Sequence, residues 1–140
     1  MKKLKKLLVA LLAATLMLSA LPLSASAAKI ENEATPWWTN TGVVNCYLSI
    51  NDDGSASAEA LIRGKAGVSS IECDVYVYVM SGSTWTYVTE GHFSTQAAYL
   101  VDCCEFTARY GCSYKAEYTI TVTKNGVDEV ITHTSYSSYP

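Results

Sequence analysis

The chain predicts an all-β fold, a single antiparallel two-sheet sandwich of about seven strands behind an N-terminal signal helix. Three observations carry that expectation. Apolar and polar residues alternate with period two through most of the chain after Thr41. Short turn signatures rich in Gly, Asn, Asp and Ser separate the alternating stretches. Downstream of residue 28, no segment repeats its apolar residues at helical spacing.

Val44, Cys46, Leu48 and Ile50 face one way, and Asn45, Tyr47 and Ser49 the other. Asn51-Asp52-Asp53-Gly54 reads as a tight turn, since Asp and Gly tolerate positive φ. Ala56, Ala58, Ala60 and Ile62 form a second inward row, small enough for close packing. Gly64 to Ser70 is read as a loop. Ile71, Cys73, Val75, Val77 and Val79 then make the cleanest strand, with Glu72, Asp74, Tyr76 and Tyr78 outward. Ser81-Gly82-Ser83 turns the chain into a strand from Trp85 to His92, and the next runs from Ala97 to Phe106. Tyr114 to Val122 follows, with Ala116, Tyr118, Ile120 and Val122 inward and Lys115, Glu117, Thr119 and Thr121 outward. Asn125-Gly126 centres a hairpin turn, and Val127 to Tyr136 is the last strand. Such spacing fits a sandwich of the immunoglobulin or fibronectin III kind, with a closed barrel as the alternative. Tyr114, at the start of the sixth strand, is the candidate for a tyrosine corner.

Ahead of this pattern, Lys2, Lys3, Lys5 and Lys6 precede an uncharged apolar run from Leu7 to Leu21, then Pro22 and Ala25-Ser26-Ala27. That order is a secretory signal with its cleavage site after Ala27. The run is shorter than the roughly 20 residues a bilayer core requires. The expected organisation is a signal peptide over 1–27, a linker over 28–41, a β-sandwich over 42–137 and a tail over 138–140. The expected location is extracellular, with no stable membrane insertion after signal removal. Removing the leader takes four of the ten Lys and Arg and none of the 13 Asp and Glu, leaving a formal charge of −7. Such acidity disfavours nucleic acid and anionic membrane surfaces as partners. Within the linker, Trp37 and Trp38 are adjacent, and at least one is expected to dock on the domain, a solvent-facing ligand platform being the alternative.

Cys46, Cys73, Cys103, Cys104 and Cys112 are disulfide candidates, because cysteines outside the cell usually pair. Connectivity does not follow from an odd set of five. Cys103 and Cys104 are expected on opposite faces of one strand, whereas Cys46 and Cys73 lie on inward rows and could meet across the core. Buried free thiols are the competing reading.

Little in the chain points to catalysis. His92 and His133 lack any surrounding motif and read as surface residues, with His133 facing away from Val130, Thr132 and Thr134 if those face inward. No metal site, cofactor motif or nucleophile elbow is present in the sequence. Paired carboxylates occur only as Asp52-Asp53 and Asp128-Glu129, within local turn and strand-start contexts. No catalytic residue, metal or cofactor is therefore expected. Ten tyrosines and three tryptophans remain as the chemical surplus. Tyr76, Tyr78, Trp85 and Tyr87 form the candidate ligand-binding stripe, since rings beside carboxylates suit a glycan or a protein partner.

The lysine-rich leader, Pro36-Trp37-Trp38-Thr39-Asn40, Trp85-Thr86-Tyr87-Val88 and Tyr114-Lys115-Ala116-Glu117-Tyr118 together resemble a family of small secreted sandwich proteins of Gram-positive bacteria, whose function is unknown. The resemblance implies an extracellular sandwich and supplies no catalytic residues. The functional expectation is a secreted, non-enzymatic binding or interaction module at or near the cell surface. A bacteriocin-like or immunity-type effector and a self-assembling extracellular subunit are the alternatives.

Overall fold

The computed structural model describes residues 37–140. The signal segment and linker residues 28–36 lie outside the described residues. Seven strands follow: β1 (Thr41–Ile50), β2 (Ser55–Gly64), β3 (Val68–Ser81), β4 (Thr84–Thr95), β5 (Tyr99–Thr107), β6 (Cys112–Lys124) and β7 (Val127–Tyr139). They form two antiparallel sheets, β1-β2-β5 and β4-β3-β6-β7. The fourth strand pairs with the third, whereas in a constant-type immunoglobulin domain it joins the opposite sheet. β1 lies against β7 along one seam and β5 against β4 along the other. The loop expected from Gly64 to Ser70 is shorter, because β3 already starts at Val68, whose side chain packs against Gly64.

The inward rows make one core. Cys46, Leu48, Ala58, Ala60, Ile62, Leu100 and Cys104 come from the three-stranded sheet. Ile71, Cys73, Val75, Val77, Tyr114, Tyr118, Ile120 and Val122 face them from the other. Small residues along β2 leave volume in a gap of about 10 Å for two whole tyrosines. Tyr118 crosses that gap and donates its hydroxyl to the Tyr47 carbonyl on β1, at 2.9 Å. The Tyr114 hydroxyl accepts the Arg109 N–H at 2.7 Å, which is the tyrosine corner at the turn between β5 and β6. At the β6–β7 turn, Asn125 and Gly126 both have positive φ, 53° and 73°. Such a pair matches the right-handed twist of the flanking strands. Gly91 serves a different need: a Cβ there would lie 2.8 Å from the Phe93 ring and 3.1 Å from Cys104 Cβ, at the β4–β5 seam.

β7 turns its faces opposite to the conditional reading. Val130 and Ile131 are adjacent, so alternation alone is ambiguous in this strand. Pairing decides the matter, because Ile131 lies opposite the fully buried Ile120 and must face inward with it. Val130, Thr132 and Thr134 therefore point out. His133 sits on the core side of an edge strand, exposed, with its ring 6.1 Å from the Tyr118 ring.

Glu129 shares that face and anchors the start of β1. Its carboxylate accepts hydrogen bonds from the N–H groups of Thr39, Asn40 and Thr41 and from the Thr41 hydroxyl. Asn40, itself buried, donates its side-chain amide to the carbonyls of Val122 and Val127, both at 3.0 Å. Lys65 donates to the Trp38 carbonyl, and Trp38 packs on the core while Trp37 is 99% exposed. One of the two tryptophans is thus docked, as expected. Partial burial pushes the Glu129 carboxyl up, but the Thr41 hydroxyl and the three N–H groups outweigh it and hold the group below its ordinary 4.5.

Two stability tests follow from these contacts. Tyr114→Phe should cost about 1–3 kcal/mol in urea unfolding, because the Arg109 N–H loses its acceptor. Glu129→Gln should cost a similar amount, about 1–3 kcal/mol, at neutral pH. A carboxyl held low in the fold contributes fully above its unfolded value and loses that contribution as pH falls through its folded value. The gap between wild type and Glu129→Gln should therefore narrow as the urea titrations are repeated at successively lower pH below 4.5.

Candidate functional site

The outer face of the four-stranded sheet is a grid set by pairing register. Across β4, β3, β6 and β7, one row reads Tyr87, Tyr78, Lys115, Tyr136. The row beside it reads Glu90, Tyr76, Glu117, Thr134, and the one after that His92, Asp74, Thr119, Thr132. Trp85 lies opposite Met80 at the β3–β4 turn end. A bulge between Val77 and Tyr78 resets the phase, so that Tyr87 and Glu90 both face outward. The four stripe residues share this face.

They differ in what they contact. The Tyr78 and Tyr87 rings meet edge to face, 6.4 Å apart at an interplanar angle of 80°. The Lys115 ammonium lies 4.8 Å from the Tyr78 ring centre and 5.1 Å from that of Trp85, and it pairs with the Glu117 carboxylate. Its side chain is only 15% exposed, so the lysine is roofed by rings. Trp85 reaches over it to Tyr136, at 6.2 Å between ring centres. Tyr76 stands apart, 40% exposed between Glu90 and Glu117 on its two neighbouring strands. Tyr87 and Tyr136 are 54% and 68% exposed.

Tyr136 was not among the sequence candidates, yet it completes the cluster. The signal that could have found it is the Asn125-Gly126 turn, whose two-residue loop fixes Lys115 opposite Tyr136 by counting back along the hairpin. His92 also lies on this face, hydrogen-bonded through Nδ1 to Asp74. That bond and the Asp74 charge, joined by Glu72, raise His92 above its ordinary 6.5. The ring therefore keeps its positive charge to higher pH.

The opposite outer face, on the three-stranded sheet, is built differently. Ser49, Ser57 and Glu59 hydrogen-bond one another there. A shallow groove of about 490 Å³ runs past Asn51, Ser55, Ser57, Glu105 and Thr107. Its one ring, Phe106, is committed to Tyr114 at 5.4 Å. Asp53, in the β1–β2 turn, accepts hydrogen bonds from the Ser55 N–H and hydroxyl. Among the described residues, no group of three or more His, Cys, Asp or Glu is arranged to hold a metal ion.

All five cysteines are free thiols in this structure. Alternation sends Cys103 to the outer face of the three-stranded sheet and its neighbour Cys104 inward to the β4–β5 seam. Cys112 is half-buried at the start of β6. Cys46 and Cys73 occupy the core from opposite sheets as buried thiols, behaving as small hydrophobes. Burial pushes each of these two thiols up to about 12, with Cys46 adding to the effect on Cys73.

No family model matches this chain, and no curated protein does. Among solved structures, it is similar to the crystal structure of Spo0M, a sporulation control protein from Bacillus subtilis, with 10% identity and a TM-score of 0.42. The similarity covers 72% of this chain and 50% of that one, so the chain spans about half the length of Spo0M. It is also similar to the solution structure of R. palustris CsgH, with 13% identity, a TM-score of 0.38, and coverage of 69% of this chain and 92% of that one.

Thiol alkylation at pH 8, read by peptide mass mapping on the reduced native protein, checks the cysteine assignment. Cys103 should label first, and Cys46 and Cys73 should stay unlabelled until denaturant is added.

Proposed function

We propose that this protein is a secreted, non-enzymatic binding module and that the outer face of the four-stranded sheet is its recognition surface. The observation that carries the reading is the run of exposed rings, Tyr76, Tyr87 and Tyr136, gathered on one rigid sheet beside Glu90 and Glu117. Rings of this kind offer large contact area at low conformational cost, and the carboxylates between them supply directional acceptors. Paired strands hold those groups in place before any partner arrives, so little ordering entropy opposes binding. The signal-type order of residues 1–27 supports a place outside the cell. The partner class is a glycan or a protein of the cell surface or its surroundings.

Retention of the labelled protein on arrays of extracellular glycans and surface proteins tests this reading. The Tyr76→Ser, Tyr87→Ser double variant should lose retention yet still unfold cooperatively, at a cost of about 1–3 kcal/mol for the Tyr78–Tyr87 contact and the cross-strand pairs removed. Retention equal to wild type would remove this face as the site.

A further inference from the structure

The caged lysine shows what chemistry this face accepts. Lys115 places an ammonium between the Tyr78 and Trp85 rings with a carboxylate, Glu117, beside it. One register step along the sheet, the same elements recur around Tyr76. Its ring is 40% exposed, and its cross-strand neighbours are Glu90 on β4 and Glu117 on β6. Directly opposed residues bring their Cβ atoms within about 4.5–5.5 Å, close enough for both carboxylates to reach a group seated on the ring. Asp74 and Glu72 continue the negative charge along β3, on the same face. Lys115 already pairs with one of these four, Glu117, and His92 with another, Asp74, so that Glu90 and Glu72 carry the excess negative charge. Among the described residues, no cation is paired with Glu90.

Resting on the proposed recognition face, we infer that its ligand is a basic protein segment, which seats a lysine ammonium or arginine guanidinium on Tyr76 between Glu90 and Glu117. A cation over a tyrosine ring is attracted by the ring's negative face, and flanking carboxylates add direct ion pairing. Exposed Tyr87 supplies apolar contact for the stem of the same side chain or its neighbour. A neutral sugar would use the rings but would leave the excess of carboxylates uncompensated. An acidic partner would be repelled.

Pentalysine, titrated calorimetrically into the full-length protein at 20 mM and 150 mM salt, is the probe. Wild type should bind it, more weakly at the higher salt, and pentaglutamate should not bind. Tyr76→Ser and Glu90→Gln should each weaken binding at least tenfold. Glu105→Gln removes the same charge from the outer face of the other sheet and should leave affinity within twofold. Thermal melting of each variant confirms that the fold is kept. Equal losses for Glu90→Gln and Glu105→Gln would overturn the inference, since bulk acidity alone would then explain the attraction. Absence of pentalysine binding would overturn it too. Should glycan retention on the array be lost with Tyr76→Ser while pentalysine fails to bind, the recognition face stands and the cationic ligand falls. Should the array retention survive the double tyrosine variant, the face itself falls.

Discussion

Tyr114 and Tyr118, two rings on the inward side of β6, bind the sandwich together and thereby decide what its outer surface displays. Tyr118 ties β6 to the opposite sheet through the Tyr47 carbonyl, and Tyr114 fixes the turn that delivers the chain from β5. Both are 1% exposed, so each buries a large ring as well as satisfying its hydroxyl. Burial pushes the Tyr118 hydroxyl well above the ordinary tyrosine range, which keeps it a neutral donor. With these two and Ala116 turned inward, period two leaves Lys115 and Glu117 no choice but the outer face. The ammonium cage is thus a consequence of the core.

Magnitudes separate what holds the fold from what the surface is for. A cation–π contact contributes about 0.5–1 kcal/mol when exposed and about 2 kcal/mol when desolvated, and the largely covered Lys115 lies between these, while its pair with the more exposed Glu117 adds about 0.2–1 kcal/mol. Burying a single large apolar side chain contributes about 1.5–3 kcal/mol, and the core holds many of them. The Lys115 cluster is therefore a minor term in stability. What it does provide is order: a long, flexible side chain is pinned, and Trp85 and Tyr136 are held at a fixed separation above it. Rings committed to one geometry present a surface that does not need to reorganise on contact. Tyr76, which makes none of these ring contacts, is the part of that surface left open.

Strand-level alternation was legible because both sheets bury one face, and burial imposes a period that composition reveals. The β3 and β6 rows read correctly from residue types alone. β7 did not, because Val130-Ile131 satisfies either parity and only pairing with Ile120 chooses between them. The Glu129 anchor was equally hidden. Its carboxylate meets N–H groups some 90 positions away in the chain, and no local spacing encodes that meeting. Asp128-Glu129 looks in sequence like a polar strand start, yet Asp128 accepts the Thr123 hydroxyl across the hairpin and Glu129 accepts the distant N–H groups. For the cysteines, pairing is a statement about surroundings, whereas placement follows from hydrophobic size, and the inward rows did locate Cys46 and Cys73 in the core. The stripe was visible as outward rings, but the role of Lys115 as an occupant, with Tyr136 as its fourth neighbour, required the register of three adjacent strand pairs.

Placement along the strands also separates the anchor from the recognition face. Glu129 and Tyr136 are seven residues apart on β7, a rise of about 23 Å. The Glu129 hydrogen bonds seize Thr39 to Thr41 beside the Asn125-Gly126 turn, whereas the Trp85–Tyr136 contact lies toward the β3–β4 turn at the other end. Long strands make the division possible, since β3, β6 and β7 each run 13 or 14 residues. Loss of the anchor would fray β1 where it meets β7, yet the ring cluster rests on β6–β7 and β3–β4 pairings in which the Glu129 hydrogen bonds take no part. Stability and recognition can therefore change independently in this fold, and substitutions at one end need not be compensated at the other.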